Sequence, residues 1–340
     1  MALQTTSWAQ VHPSLVEPGV LMQINQSSQF LRVFADGKPR VLLDPEDLFV
    51  YIRQLAFRGS ADTHQTAGNV LPGVDLIPGY RSTPTYRVRS HAEWDHHDAA
   101  NASRWGINIA EGYRLGNHQT IFQTLRSLGL YGYNGGNGEG VVNTPGAFTA
   151  SLPPDSFGNT TVLNYDNGQM ATFLLNQMSV VKQRTYQFGK AHRWVFLGPQ
   201  RVLGQFGLVN VVQLTSFQRV GAGSATTAEM VADIAKRFEG DVIEWCYDDT
   251  LIGQGAGGSD LIILMLTEVD QPNEAMWDTN EFSKLEPNLR GCSFMYADMP
   301  APREITVPLA LGAVDTLYEI RVTPGWVLRP EALQLISMVY

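Results

Sequence analysis

Apolar positions recur at helical spacing in four stretches of the chain and alternate or run together in most of the rest. Over 44–59, DPEDLFVYIRQLAFRG, the pattern predicts a helix. Asp44 is its N-cap, Pro45 takes the first helical position, and Leu48, Ile52 and Leu55 share a face. Gly59 follows a basic last turn. A second helix is expected from Asn101 to Gly129, with Ile121, Phe122, Leu125 and Leu128 on one stripe. Gly106, Gly112 and Gly116 weaken it or let another backbone come close. The third, YDNGQMATFLLNQMSVVKQRT (165–185), spaces Met170, Phe173, Leu174, Gln177, Met178 and Val181 as a helix does. The fourth is TTAEMVADIAKRFEG (226–240). Thr226 and Glu229 form a capping box, Met230, Ile234 and Phe238 line a face, and Gly240 ends it.

Strands are expected where β-branched and aromatic residues cluster. These are TYRVRSHAEW (85–94), which alternates with two wet faces, then HRWVFL (192–197), LVNVVQL (208–214), DVIEWCY (241–247) and DLIILML (260–266). The last forty residues read as strands separated by Gly and Pro. Residues 60–85 are rich in turn formers and read as a long loop, a class that is usually functional or reaches outward. Residues 131–146 form a glycine-rich turn, and 150–300 an α/β unit. Residues 1–40 are polar and broken by Pro13 and Pro18, so they read as an extended arm rather than a core element. No internal repeat and no low-complexity segment is found.

Composition narrows the class. A chain of 340 residues with 44% hydrophobic content can bury one or two sizeable cores. A net charge of −9 makes it a poor candidate for wrapping nucleic acid by neutralising phosphates. Cys246 and Cys292 lie in no CxxC spacing and read as two buried small hydrophobes. The first residues lack the basic start and apolar core of a signal peptide. The longest apolar run, Leu261 to Leu266, is far short of the ~20 residues of a membrane span. Synthesis and folding in a cytoplasm are expected.

Candidate chemistry gathers in HAEWDHHDAAN (91–101). His91, Glu93, Asp95 and His96 spell H-x-E-x-D-H, similar to the diiron variant of the metallo-β-lactamase motif, with ligand types that suit iron or zinc. The departures are serious. The lead-in YRVRS is not an apolar buried strand, and His97, Asp98 and Ala99 follow where that motif has glycine. His118 and His192 do not supply the later ligands in recognisable form. In the competing reading Asp95 or Asp98 caps the next helix, and the histidines sit on a solvated or subunit-facing surface. The glycine turn carries no G-x-x-x-x-G-K-[ST], Val141 breaks G-x-G-x-x-G, and Glu139 would repel a phosphate. There is no G-x-S-x-G, and GGSD (257–260) reads as a turn before a strand. The reading assigns no catalytic, cofactor or metal residues.

Three stretches carry a resemblance that spans most of the chain. NHQTIFQTLRSLGLYGYNGGNGEGVVNTPG (117–146) resembles the end of a spine helix and its glycine turn. HRWVFLGPQRVLGQF (192–206) resembles a strand and short helix of an axial domain. CSFMYADMPAPREITVPLALGAVDTLYEIRVTPGWVLRPEAL (292–333) resembles closing strands with an R-x-P-E-A-like tail. In this order they resemble the major capsid protein of tailed bacteriophages. The resemblance implies an α+β, Hong Kong 97-like capsid fold. Its parts are an N-terminal arm (1–40), a peripheral-domain helix and extended loop (41–100), a spine helix and glycine turn (101–149), an axial domain (150–300) and C-terminal strands returning to the peripheral domain (301–340). It further implies a non-enzymatic subunit, made in a host cytoplasm, that self-assembles through hexamers and pentamers into the icosahedral head of a virion around double-stranded DNA. Portal, scaffolding and cement proteins and non-specific contact with packaged DNA come with it, and no membrane. The alternatives are an encapsulin-like compartment or tail-tube protein, or a metal-dependent hydrolase or oxidoreductase using the His91–Asp98 cluster.

Overall fold

The computed structural model describes residues 29–30, 41–59, 73–104, 106–187, 189–208, 225–269, 293–309 and 312–340. Its strands, in chain order, are β1 (Val41–Leu42), β2 (Phe49–Gly59), β3 (Val74–Pro84), β4 (Tyr86–Trp94), β5 (Phe148–Ser151), β6 (Arg193–Gly198) and β7 (Val242–Tyr247). They continue with β8 (Asp260–Leu266), β9 (Phe294–Met295), β10 (Ala297–Asp298), β11 (Arg303–Pro308), β12 (Val314–Val322), β13 (Trp326–Val327) and β14 (Leu333–Met338). The helices are α1 (His96–Arg104), α2 (Ile109–Tyr131), α3 (Asn167–Thr185), α4 (Gln200–Leu208) and α5 (Thr227–Glu239).

Two sheets organise these elements. The first runs β1-β10-β12-β11, with β4 along the other edge of β12, and α2 packs against β4 and β12. The second runs β5-β14-β8-β6-β7. All seven residues of β8 are buried, which explains why DLIILML reads as a continuous apolar run rather than an alternation. Trp194, Phe196, Ile262, Leu264 and Ile336 point one way, into a cluster with Met170, Leu174, Met178 and Val181 of α3 and Val231 of α5. Val195, Leu197, Leu261, Ile263 and Leu335 point the other way, to Ile121, Leu125 and Leu128 of α2 and to Tyr318 and Val322 of β12. The second sheet therefore carries one core on each face.

The end of α2 is locked by main chain. Val141 and Val142 N–H donate to the carbonyls of Gly129 and Leu130 (3.1 and 2.9 Å), and Gly325 N–H donates to Leu128 (3.3 Å). Gly140 N–H donates to the Gly325 carbonyl (2.9 Å). A Cβ on Gly325 would meet the Gly129 carbonyl oxygen at 2.1 Å, so no side chain fits. Glu139, buried in this turn, accepts from Tyr86 Oη (2.7 Å) and from the Asn134 and Tyr133 N–H groups (2.9 and 3.2 Å). It clasps the glycine turn to β4 from inside. Burial and this bond push the Tyr86 hydroxyl up to about 12.

Several expectations are corrected. Residues 44–59 do not form a helix. Asp44 and Pro45 open a turn closed by Asp47 N–H on the Asp44 carbonyl (3.1 Å), and the chain then enters β2. Asp-Pro serves a turn as well as a helix start. Leu48 lies 64% exposed, so the apolar face that would have paid for a helix has no core to meet. β2 pairs instead with β3 over eleven positions, from Phe49↔Pro84 to Gly59↔Val74. The loop read over 60–85 is thus a strand from Val74 onward; 60–72 lies outside the described residues. The helix read over 101–129 is two, α1 and α2, parted near Gly106 at φ +69°. β4 is not wet on both faces, since Val88 and Ala92 are buried. On α5 the buried stripe is Thr227, Val231 and Ala235, with Phe238 83% exposed. Phe30, read as part of an arm, is fully buried beside Phe294 and Gly129. Of 301–340, β11 and β12 join the first sheet but β14 lies inside the second. The strand read at 208–214 and Cys292 lie outside the described residues, Leu208 excepted, which ends α4; Cys246 is buried as expected.

The other helices and strands form where expected. The capping box of α5 is present, with Glu229 N–H on Thr226 Oγ1 (3.3 Å), Thr226 N–H on the Glu229 carboxylate (2.9 Å) and Gly240 left-handed.

Burial lifts the Asp298 carboxyl to about 6, and its Oδ1 has no hydrogen-bond partner among the described residues. A raised carboxyl stabilises the fold only while protonated. That contribution is fully present below the ordinary value of 3.8 and is lost as pH rises through about 6. Denaturation between pH 4 and 7 should show this loss, and Asp298→Asn should flatten the profile and raise stability at neutral pH.

Candidate functional site

The histidine-rich stretch straddles the end of β4 and the start of α1. Asp95 and Asp98 bond reciprocally. Asp98 N–H donates to Asp95 Oδ1 (2.8 Å), and Asp95 N–H donates to Asp98 Oδ2 (3.3 Å). The Asp98 amide holds the Asp95 carboxyl below its usual range. Both acids are thus occupied in starting α1. His91 and Glu93 lie exposed on β4, and His96 and His97 lie exposed at the helix start with ring centroids 3.9 Å apart. His118 sits in α2 with its ring edge-on to Tyr318 at 5.6 Å, and His192 precedes β6, its N–H bonded to Asp241 (2.9 Å). Among the described residues no three His, Cys, Asp or Glu side chains are grouped as a metal ion would need. Ser259 of GGSD lies in the turn before β8, its hydroxyl donating to the Ala256 carbonyl (2.8 Å).

Beside this stretch lies a groove of about 680 Å³ between β4 and α2, lined by His91 to Asp95 and by Tyr113, Gly116, Asn117 and Thr120. It contains the acids of the stretch but gathers no reactive set.

The feature that the sequence reading placed only as an outward-reaching loop is the β2–β3 ribbon. Among the described residues it is a sheet of two strands. The register places Phe49, Tyr51, Tyr80, Leu76 and Val74 on one face, and all five are exposed, Tyr80 and Val74 at 71%. Tyr51 and Tyr80 meet edge-on at 5.8 Å. Its base is tied down through Thr85 N–H on the Leu48 carbonyl (3.0 Å), Arg321 on the Asp47 carbonyl (2.6 Å) and Arg81 on the Leu328 carbonyl (2.8 Å). A two-stranded ribbon is marginal in water by itself. An apolar face of this size on such a ribbon marks an interaction surface. The alternation V-D-L-I-P-G-Y after Gly73 was the available signal, hidden by its Pro and Gly.

Compared by sequence, the chain matches no family model and no curated protein. Compared by structure, it is similar to the capsid of Myoviridae phage XM1, with TM-score 0.67 and 11% identity over 96% of this chain and 97% of that one. It is similar to the capsid of the cyanophage P-SCSP1u (TM-score 0.55, 11% identity, 94% and 90% covered). It is also similar to the mature capsid of bacteriophage PhiM1 (TM-score 0.54, 11% identity, 98% and 96% covered). The fold is the α+β, Hong Kong 97-like capsid fold that the sequence resemblance implied. No helix among the described residues is long and apolar enough to cross a membrane.

The geometry of the 91–98 stretch separates two kinds of residue. Replacing Glu93 and His96 together with alanine should change folding stability by no more than about 0.5 kcal/mol, as for exposed positions away from special features. Asp95→Ala alone should lower the thermal midpoint, because α1 loses its first bonded turn. Circular dichroism melts of the two variants check the order.

Proposed function

We propose that the chain is a major capsid protein that self-assembles into the icosahedral head of a tailed bacteriophage around double-stranded DNA. The observation that carries this reading is the likeness to capsid chains along nearly the whole length, 96% for the XM1 capsid. The apolar ribbon supports it independently, since it is a projecting surface that one subunit leaves uncovered. On this reading the first sheet with α2 is the peripheral domain and the second sheet with α3, α4 and α5 the axial domain. The role is structural rather than catalytic, and the protein resides in the virion. The ribbon reaches a neighbouring subunit in the same ring, and the 1–40 segment, except where Phe30 packs into its own chain, serves as an arm between subunits. A net charge of −9 suits a wall that touches DNA without gripping it. Portal, scaffolding and cement proteins complete the head.

Electron microscopy and light scattering of purified protein should find closed shells or rings of five or six subunits. A monomer under all assembly conditions would overturn the reading, and shells that enclose protein cargo in place of DNA in the infected cell would favour a compartment protein. Tyr51→Ser with Tyr80→Ser removes two exposed rings. Subunit stability should hold within about 1 kcal/mol, while shell yield falls sharply. Normal shells from that variant would remove the ribbon from the assembly surface.

A further inference from the structure

The groove between β4 and α2 has three properties that the capsid reading does not use. First, five consecutive residues border it, His91 to Trp94 of β4 and Asp95 just after the strand. Both faces of a strand can border one groove only at the strand's edge. β4 pairs with β12 alone, so this second edge is open among the described residues. Five residues make ~17 Å of extended chain at ~3.4 Å per residue. Second, the groove floor holds Asn117, only 6% exposed. Ser90 Oγ donates to its Oδ1 (2.5 Å), which orients the amide, and its Nδ2 has no acceptor among the described residues. A buried amide donor left unpaired costs free energy that an incoming carbonyl would recover. Third, the wall is acidic and aromatic. Glu93, Asp95 and Asp98 line it without a Lys or Arg among the lining residues. Trp94 and Tyr113 stack at 5.7 Å and 15° at its side, a surface on which the stem or head of a basic side chain can lie.

We propose that the groove receives an extended, lysine- or arginine-bearing segment of a different protein, added as a further strand along β4 with one of its carbonyls on Asn117 Nδ2. Strand addition supplies affinity through main-chain bonds, and the flanking pockets supply selectivity. The exposed strands among the described residues fit poorly. The β2–β3 ribbon offers an apolar face, and β11 sets Glu304 beside Arg303 and ends in Pro308. The recognition is a property of one subunit and does not depend on shell formation.

The test uses full-length protein and three labelled, end-blocked peptides: (Lys-Val)3, (Glu-Val)3 and (Lys-Pro)3, the last keeping the charge without the main-chain donors of alternate residues. Fluorescence anisotropy should show saturable binding of (Lys-Val)3, with the other two at least 10-fold weaker. Hydrogen exchange should slow at 91–95 when (Lys-Val)3 is added. Glu93→Lys, at an exposed position, should weaken (Lys-Val)3 at least 10-fold; Asn117→Leu should weaken it several-fold. Should Asn117→Leu misfold, the Glu93→Lys variant and the exchange data still decide. Equal binding of (Lys-Pro)3 would reduce the effect to surface charge and overturn the proposal. So would absence of binding, or binding untouched by Glu93→Lys. Protection of 91–95 that rises with protein concentration before peptide is added would assign the groove to a second copy and overturn it as well.

Discussion

Everything in this molecule hangs on a main-chain contact between Gly129, near the end of α2, and Gly325. At this point the chain leaves β12 in the first sheet on its way to β14 in the second. The contact closes so tightly that Gly325 can carry no Cβ, because the Gly129 carbonyl fills that position, and the Phe30 ring fills the corresponding position at Gly129. The glycine turn joins the same node through Gly140, left-handed at φ +83° and packed on the backbone of Gly132. The α2 end and its glycine turn thus share hydrogen bonds with a segment far along the chain, at a distance that a side chain on Gly325 would prevent. The apolar cluster that includes Leu125, Leu128, Phe294 and Leu335 surrounds this node. It fixes where the long helix ends relative to both sheets, and with it where β4, the ribbon and the groove are carried.

Elements whose fate is decided locally were legible in the chain. α3 declares itself through the spacing of Met170, Leu174, Met178 and Val181, and α5 declares its start through Thr226, which bonds the third residue of the helix. β8 declares itself by having no polar face. Residues 44–59 were misread because their local signals are ambiguous and the deciding partner, β3, lies across a connection that sequence pattern cannot bridge. The rotation of the α5 stripe is a smaller failure of the same kind. Met230, Ile234 and Phe238 are the larger side chains, yet close packing on α3 selects the smaller Thr227, Val231 and Ala235. The helix cap at Asp95–Asp98 was legible from spacing. The ribbon's exposed face was not, because a pattern of apolar residues cannot say whether the protein's own core covers them. Asn117 was equally invisible, since its burial depends on where α2 meets β4.

Buried charge in the second sheet's layer fixes how its helices sit. Lys182 of α3 is buried between Glu239 at the end of α5 and Asp241 before β7, and Asp260 at the start of β8 takes two bonds from Arg201 of α4 (2.7 and 2.6 Å) and one from Gly253 N–H (3.0 Å). Such pairs add little net stability compared with apolar replacements, but breaking one leaves an uncompensated charge inside. An apolar helix face alone tolerates sliding on a sheet. A lysine that must meet two carboxylates, and a carboxylate that must meet both an arginine fork and a backbone amide, do not. Lys182 thus ties α3 to the end of α5 and to the residue before β7, and Arg201 ties α4 to β8.

The two halves of the molecule therefore differ in what holds them. The second sheet is covered on both faces and its helices are pinned, so its shape is set within one chain. Among the described residues the first sheet keeps an open edge at β4, and it carries the ribbon on a base held by backbone carbonyls of Leu48, Asp47 and Leu328. Carbonyl anchors fix the direction in which the ribbon leaves without burying its aromatic face. A body completed within one chain, joined to a ribbon that needs another surface for its apolar face, is what repeated copies require if they are to meet in one geometry. On the proposed reading, the part completed within one chain would set the angle between neighbours, and the exposed ribbon would supply area for them to bury.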